Sequence, residues 1–162
     1  MGKASKTHQE TVPPAQVLRQ FRIVFNAVRA HFSQMEKQVG LGGAQVWALS
    51  VIKDNPGIGM GGIASHMHIH QSTASNLIKV LLTKELISMT KGAEDRRSVN
   101  LTILPAGKKI LSKVPGPFEG ILPEALSSLE PAVLARMEKD LDQLIGLLNA
   151  DESAGDIPLA EI

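Results

Sequence analysis

The chain has 162 residues, enough for one domain with a sizeable hydrophobic core. It contains no cysteine, which excludes disulfide bonds and thiol chemistry, and no apolar run long enough to cross a bilayer, so a cytoplasmic protein without membrane contact is expected. The net charge of +1 is unevenly distributed, with +4 in residues 1–59, +2 in residues 60–104 and −5 in residues 105–162. The near-neutral total therefore hides a basic part of the chain, which is suited to an acidic partner.

The N-terminal 40 residues are predicted to form a disordered tail and then one long helix. Residues 1–12 are polar, and Pro13 and Pro14 suit the first turn of a helix, so the helix is placed at residues 13–40. Packing against its own domain would explain part of its apolar pattern, but the helix is too apolar for one-sided packing, so a second partner is expected. Its main apolar residues recur with the three–four spacing of a heptad seam: Leu18, Phe21, Phe25, Val28, Phe32, Met35 and Val39.

A glycine-rich segment follows the second predicted helix. That helix runs from Leu41 to Lys53 and ends at the turn-forming sequence Asn55-Pro56-Gly57. Residues 57–62 formally match the GxGxxG pattern of dinucleotide-binding loops. Such a site needs a strand before the glycines, whereas a helix and a turn precede them here. We therefore interpret the segment as a flexible entry into a short helix.

Two helical patterns meet at a tight turn in the next stretch. A short apolar stripe (Ile63, Ala64 and Met67) is followed by a helix predicted at residues 71–86. Apolar residues of this second helix lie at i, i+3, i+4, i+7 and i+8, which makes one buried stripe: Ala74, Leu77, Ile78, Leu81 and Leu82. The opposite face carries short hydrogen-bonding groups and one cation: Ser72, Thr73, Ser75, Asn76 and Lys79. This is a helix-turn-helix pattern, whose second helix lies in a DNA major groove. Ser72 could instead, or in addition, cap that helix.

Three histidines lie close together around the turn. A zinc site needs three or four converging ligands, but His66, His68 and His70 alternate along the chain and do not share one helix face. No cysteine or nearby carboxylate completes a ligand set, so neither a metal site nor a cofactor is predicted. No motif brings an acid, a base and a nucleophile together, so an enzyme is not expected.

A short hairpin is predicted after the helix-turn-helix. Residues 86–90 and 99–104 are strand-like, and the second strand alternates apolar inward and polar outward residues. The polar loop between them, residues 91–98, forms a wing whose cations would be attracted to DNA: Lys91, Arg96 and Arg97. A charged loop is usually only solvated, and the preceding helix-turn-helix is what favours a DNA contact.

The C-terminal third is predicted to be helical and acidic. Pro105 opens a helix to about Val114, which residues 115–117 (Pro-Gly-Pro) must break or kink. A final helix from about Ala132 to Leu148 repeats the three–four spacing: Leu134, Met137, Leu141, Leu144 and Leu148. The simplest arrangement pairs the terminal helices of two chains into a shared hydrophobic base. Residues 151–162 form an acidic tail, either loose or a late dimer contact.

Two segments together resemble the winged-helix core of the MarR (multiple antibiotic resistance regulator) family of bacterial transcription regulators. They are HQSTASNLIKVLLTKELI (residues 70–87) and AEDRRSVNLTILPAG (residues 93–107). The resemblance implies that Arg97 enters the minor groove and that Asp95 helps to orient it. It also implies a dimer joined through its N- and C-terminal helices, and a small aromatic or phenolic effector between the dimer base and the DNA-binding lobes. The sequence departs from the family pattern at Leu104, Glu85 and Asn76, where Thr, Gly and Arg respectively are common.

These observations predict a mainly α fold with a small β-hairpin wing. A winged helix-turn-helix at residues 41–104 would lie between dimerisation helices at residues 13–40 and 105–150. The expected partner is double-stranded DNA, bound by a homodimeric repressor on a pseudo-palindromic site with recognition helices about 34–36 Å apart. The candidate DNA-binding residues are Ser72, Thr73, Ser75, Asn76, Lys79, Lys91, Asp95, Arg96 and Arg97. Two other classes stay open: a metal- or ligand-responsive sensor, and a winged-helix adaptor that binds protein.

Overall fold

The computed structural model describes residues 11–95 and 97–162. Residues 1–10, which contain most of the predicted disordered tail, and Arg96 lie outside the described residues. The elements in chain order are α1 (Pro14–Val39), α2 (Gly43–Asp54), α3 (Met60–Met67), α4 (Gln71–Thr83), β1 (Ile87–Lys91), β2 (Val99–Ile103), α5 (Pro105–Ser112), α6 (Ile121–Ser127) and α7 (Pro131–Leu148). The predicted fold class, mainly α with a small hairpin, is confirmed. Of the helices in this described part, none combines the length and the hydropathy needed to cross a membrane.

Helix α1 divides into two halves with different environments. It begins at Pro14, as the sequence predicts, and ends where Gly40 adopts a left-handed conformation with φ of 70° and donates its N–H to the Glu36 carbonyl. In the C-terminal half Val28, Phe32 and Met35 are buried. In the N-terminal half most of the large apolar side chains are exposed, although the helical pattern continues, and Phe21 is half-buried.

The core is organised around α2. Val46, Leu49 and Ile52 of this helix are fully buried, and α2 packs against α1, α3, α4, α5 and β2. A helix enclosed on so many sides has little polar surface, and even Ser50 is buried, with its hydroxyl donating to the Trp47 carbonyl. Helix α2 therefore serves as the support against which the helix-turn-helix and the hairpin are fixed.

Helix α4 shows the predicted apolar stripe but is shorter than predicted. Ala74, Leu77, Ile78 and Leu81 are buried, whereas Leu82 is half-buried. The helix ends at Thr83 rather than at residue 86. Glu85 adopts a left-handed conformation with φ of 55°, which residues other than glycine seldom take. The Leu86 N–H then donates to the Leu81 carbonyl. The chain thus turns directly into the hairpin at the position where the family pattern has a glycine.

The hairpin is tied to the rest of the molecule at its base. Strands β1 and β2 pair in antiparallel register, with Ile87 opposite Ile103 and Lys91 opposite Val99. The predicted alternation is confirmed, because Leu101 and Ile103 are buried while Asn100 and Thr102 are exposed. Leu101 also bonds in both directions to the α2–α3 loop, accepting from Gly57 N–H at 2.8 Å and donating to the Ile58 carbonyl at 2.9 Å. The hairpin base and the helix-turn-helix are therefore one packed unit.

The segment after the hairpin starts with a very close approach. Helix α5 begins at Pro105 as predicted but ends at Ser112, two residues before the predicted end. A Cβ at Gly107 would lie 2.5 Å from the Leu86 carbonyl oxygen and 2.8 Å from Ile103 Cγ1, so only glycine lets α5 come this near the hairpin. Helix α6, which the sequence pattern did not predict, follows the Pro-Gly-Pro break and packs on α1.

The C-terminal residues of the acidic tail are folded. They form two short 3₁₀ helices, Glu152–Asp156 and Leu159–Glu161, and the second packs against α1 and α2 of the same chain. Pro158 is buried and Ala160 is half-buried against the core. We call residues 151–162 the C-terminal segment. It is folded back on its own core and is therefore not a loose tail.

Candidate nucleic-acid interface

One face of α4 collects most of the predicted helix residues. Ser72, Ser75, Asn76 and Lys79 are exposed, and their spacing of three, four and seven residues places them on one side of the helix, opposite the buried stripe. Thr73 lies one residue away from this line and is half-buried. We call these five residues the α4 polar face. The fold uses the apolar side of α4 and leaves this face available to a partner.

The start of α4 is exposed as well. His70, not Ser72, occupies the N-cap position, so the capping role considered for Ser72 is wrong. No side chain among the described residues caps the helix, and the backbone N–H groups of the first turn therefore face outward without an intrahelical acceptor. Helix termini of this kind attract anions. Gln71, exposed at the first helical position, was missed from the sequence, although its place directly after the turn was a usable signal.

The three histidines have three different surroundings. His66 Nδ1 lies 3.0 Å from the Gly62 carbonyl oxygen, within α3. His68 forms the turn itself, in a left-handed conformation with φ of 53°, and His70 Nε2 lies 3.6 Å from the Asp156 carboxylate of the C-terminal segment. Within residues 11–95 and 97–162, no group of three or more histidine, aspartate or glutamate side chains is arranged to hold a metal ion.

The wing is held by hydrogen bonds that converge on Asp95. Its carboxylate accepts the backbone N–H of Arg97 at 2.9 Å, and its carbonyl accepts both the hydroxyl of Ser98 at 2.8 Å and the N–H of Ser98 at 3.0 Å. Gly92 N–H closes the loop on the Ser98 carbonyl at 2.9 Å, and a side chain at Gly92 would collide with the Ser98 hydroxyl. Asp95 therefore fixes the backbone from which Arg97 projects. The Arg97 and Lys91 side chains are exposed, and Arg96 lies outside the described residues.

A second surface, remote from the wing in sequence, is apolar. The N-terminal half of α1 exposes five large apolar side chains, and α7 has no buried residue although it carries the second heptad pattern. Folded monomers seldom leave two such helix faces uncovered, so this surface is suited to a protein partner. Its members are Val17, Leu18, Val24 and Phe25 on one side of α1, and Leu134, Met137, Leu141, Ile145, Leu147 and Leu148 on α7; the exposed Ile23 lies on the other side of α1.

A small hollow separates α1 from the end of α5. It has a volume of about 80 Å³, and its lining includes His31, Met35 and Gln38 of α1 together with Val114 and Pro115. His31 Nε2 lies 3.1 Å from the Pro117 carbonyl oxygen, so the Pro-Gly-Pro break is anchored at this hollow. The hollow is polar on the α1 side and apolar on the other.

Comparison with known proteins agrees with this geometry. The MarR family model matches residues 44–99, from α2 to the start of β2. An uncharacterized HTH-type transcriptional regulator of Bacillus subtilis, YsmB, is 29% identical over 85 residues, a match that covers 52% of this chain and 58% of YsmB. The chain thus matches a little over half the length of this curated relative.

Solved structures resemble the chain over most of its length. The DNA complex of MepR from S. aureus has a TM-score of 0.57 at 22% identity, covering 82% of this chain and 97% of MepR. BpsR from Bordetella bronchiseptica, whose DNA binding is regulated by 6-hydroxynicotinic acid, has a TM-score of 0.53 at 24% identity, covering 80% and 98%. At such identities these structures show a shared fold. The MarR family match covers residues 44–99, which contain the helix-turn-helix and the wing loop.

Proposed function

We propose that this protein is a transcription regulator, not an enzyme, that binds double-stranded DNA. The single observation that carries the proposal is the α4 polar face, which lies on a helix whose opposite side is buried at Ala74, Leu77, Ile78 and Leu81. A rigid helix with free hydrogen-bonding groups is what a major groove accepts. The family match and the DNA complex of the structurally similar MepR support this function. As a regulator of genes it would act in the cytoplasm.

The side chains divide by their chemistry. Ser72, Ser75 and Asn76 would approach base edges, and the Asn76 amide can pair bidentately with adenine, which favours an A·T pair in each half-site. Thr73, at the side of the face, and Lys79, further along the helix, would contact phosphates. We assign the wing cations Lys91, Arg96 and Arg97 to the adjacent backbone and minor groove, with Asp95 holding the Arg97 backbone.

We infer a homodimer from the uncovered apolar surface on α1 and α7. A second copy would cover both helices through a two-fold interface, which leaves residues 41–104 as the DNA-binding unit and residues 13–40 and 105–150 as the dimerisation unit. Two-fold symmetry would present two α4 helices to successive major grooves, about 34–36 Å apart. Such a dimer would occupy a pseudo-palindromic operator and act as a repressor.

A small aromatic or phenolic acid is the effector that we propose. BpsR responds to an acid of this size, and the hollow beside Pro115 lies between α1, part of the proposed dimerisation unit, and the end of α5. Its present volume of about 80 Å³ is small for a ring compound, so binding would have to move α1 away from α5. Such a movement would change the separation of the two reading helices.

The salt dependence of DNA binding tests the proposal. We expect affinity for a fluorescent duplex of about 30 base pairs to fall at least 100-fold between about 50 and 200 mM salt, since several phosphate contacts per subunit release counterions. Lys79→Gln should make the negative slope of log K against log[salt] less steep by about one for each subunit. The matched control is Lys139→Gln on α7, outside the proposed interface with DNA. Weak binding with a flat salt response would instead favour a protein-binding adaptor.

A further inference from the structure

The C-terminal segment brings negative charge to the start of the recognition helix. Asp156 Oδ2 lies 3.6 Å from His70 Nε2, and both side chains are about half exposed, at 54% and 49%. A second carboxylate, that of Asp151, belongs to the same segment. The Ser153 side chain and then the Ser153 N–H, which Asp151 accepts at 3.0 Å, lower the pKa of Asp151, and His70 adds to the lowering. The Asp156 carboxylate thus lies beside the N-cap residue of α4.

A DNA phosphate would approach the same end of α4. In a helix-turn-helix the N-terminal residues of the second helix enter the groove, whose walls carry one negative charge per about 1.7 Å of duplex. The uncapped first turn of α4 and the exposed His70 side chain are suited to a phosphate oxygen. A carboxylate 3.6 Å from His70 competes with a phosphate for this side chain and repels the phosphate.

The C-terminal segment is held against the core by only a few buried contacts. Pro158 is buried and Ala160 packs near Gly43 at the start of α2, where an added Cβ would lie 3.0 Å from the Ala160 Cβ. The large apolar residues of the segment, Ile157 and Leu159, stay at least 40% exposed. With so few buried contacts, local detachment should cost much less than global unfolding.

We propose that the C-terminal segment is an autoinhibitory shield: its carboxylates, above all Asp156, compete with a DNA phosphate for His70 and the first turn of α4. This inference rests on the proposed DNA-binding function. While the segment is bound to the core, it lowers the affinity of the DNA-binding unit, residues 41–104, for any duplex. Detachment of the segment uncovers the start of α4 and raises that affinity without altering the α4 polar face. Because the repulsion comes from the carboxylates, it does not require His70 to be charged.

Two variants that remove the same charge test the shield. Asp156→Asn removes the carboxylate beside His70, and Glu152→Gln removes one from the same 3₁₀ helix, where it is exposed. In anisotropy titrations of the full chain on a duplex of about 30 base pairs at fixed salt, Asp156→Asn should bind roughly two- to fivefold tighter per reading head, as expected for a partly exposed charge pair. Glu152→Gln should stay near wild type. Equal tightening by both variants, or none by Asp156→Asn, would overturn the proposal.

A third variant separates the shield from net charge. Ala160→Glu places a carboxylate against the apolar seat and should detach the segment. The shield predicts tighter DNA binding although the chain has gained a negative charge, whereas a simple net-charge effect predicts weaker binding and would count against it. Circular dichroism and melting curves must show that the core stays folded. Faster proteolysis within residues 151–162 would show that the C-terminal segment has detached. A wild-type chain with no affinity for duplex would refute the proposed function, whereas a DNA-binding chain indifferent to Asp156→Asn refutes only the shield.

Discussion

Replacing Phe25 should disrupt the proposed dimer. Phe25 is 54% exposed and stacks on Phe21 with ring centroids 6.1 Å apart, so it is the largest apolar group on the uncovered part of α1. The substitution Phe25→Ser removes the ring without adding a charge. Since the ring makes no contribution to the buried core, the monomer should keep its stability.

The expected size follows from the exposed area. A phenylalanine side chain offers about 200 Å², of which the exposed 54% is about 110 Å². At about 25 cal/mol per Å², full coverage contributes about 2.7 kcal/mol per subunit, and a two-fold interface contains it twice. Coverage of only half this area still gives about 2.7 kcal/mol for the dimer, which is a roughly 100-fold increase in the dissociation constant.

Sedimentation velocity over a wide concentration range measures the dissociation constant directly. The matched control is Ile23→Ser, because Ile23 is 51% exposed but lies about 200° around α1 from Phe25. We expect Phe25→Ser to become monomeric at concentrations where wild type and Ile23→Ser remain dimers, and to lose DNA affinity in parallel. If wild type is a monomer, or if both variants shift the dissociation constant equally, the assigned dimer face is incorrect.

Two further substitutions test the wing and the packing of α5 against the hairpin. Arg97→Ala should weaken duplex binding by roughly 1–3 kcal/mol if the side chain reaches a groove, and an unchanged affinity in a salt-controlled titration would remove its role. Gly107→Ala should lower the free energy of unfolding by about 1–3 kcal/mol in urea, because the new methyl meets the Leu86 carbonyl at 2.5 Å. Gly61→Ala, whose Cβ has nothing within 4 Å, is its control and should not destabilise the chain; equal losses in both would contradict the close approach.

Local patterns were sufficient for the elements whose packing is periodic. The Pro13-Pro14 pair, the α4 apolar stripe and the alternation in β2 all follow from the geometry of a single helix or strand, and the structure places these elements within a few residues of the predictions. The helix residues of the candidate interface could be predicted for the same reason. A buried stripe on α4 automatically places Ser72, Ser75 and Asn76 on the outer side.

Contacts between distant segments could not be predicted in this way. The turn at Glu85 ends α4 early because Leu86 must pair with the hairpin and the α5 start, not because of a local breaker. Helix α6 has only seven residues, too few for a clear periodicity. The seat of Ala160 against α2 depends on the missing side chain of Gly43, more than a hundred residues earlier. An acidic composition by itself suggests only a solvated tail.

The hydrogen bonds between Leu101 and the loop at Gly57 and Ile58 limit how this protein can be regulated. These bonds join the base of the wing to the loop before α3. The distance from the wing tip to α4 is therefore fixed within each subunit. A signal that loosens the grip on DNA is then expected to act by changing the angle between two intact subunits, or by covering part of one. Base pairs inserted between the two half-sites should therefore be tolerated far less than substitutions within either.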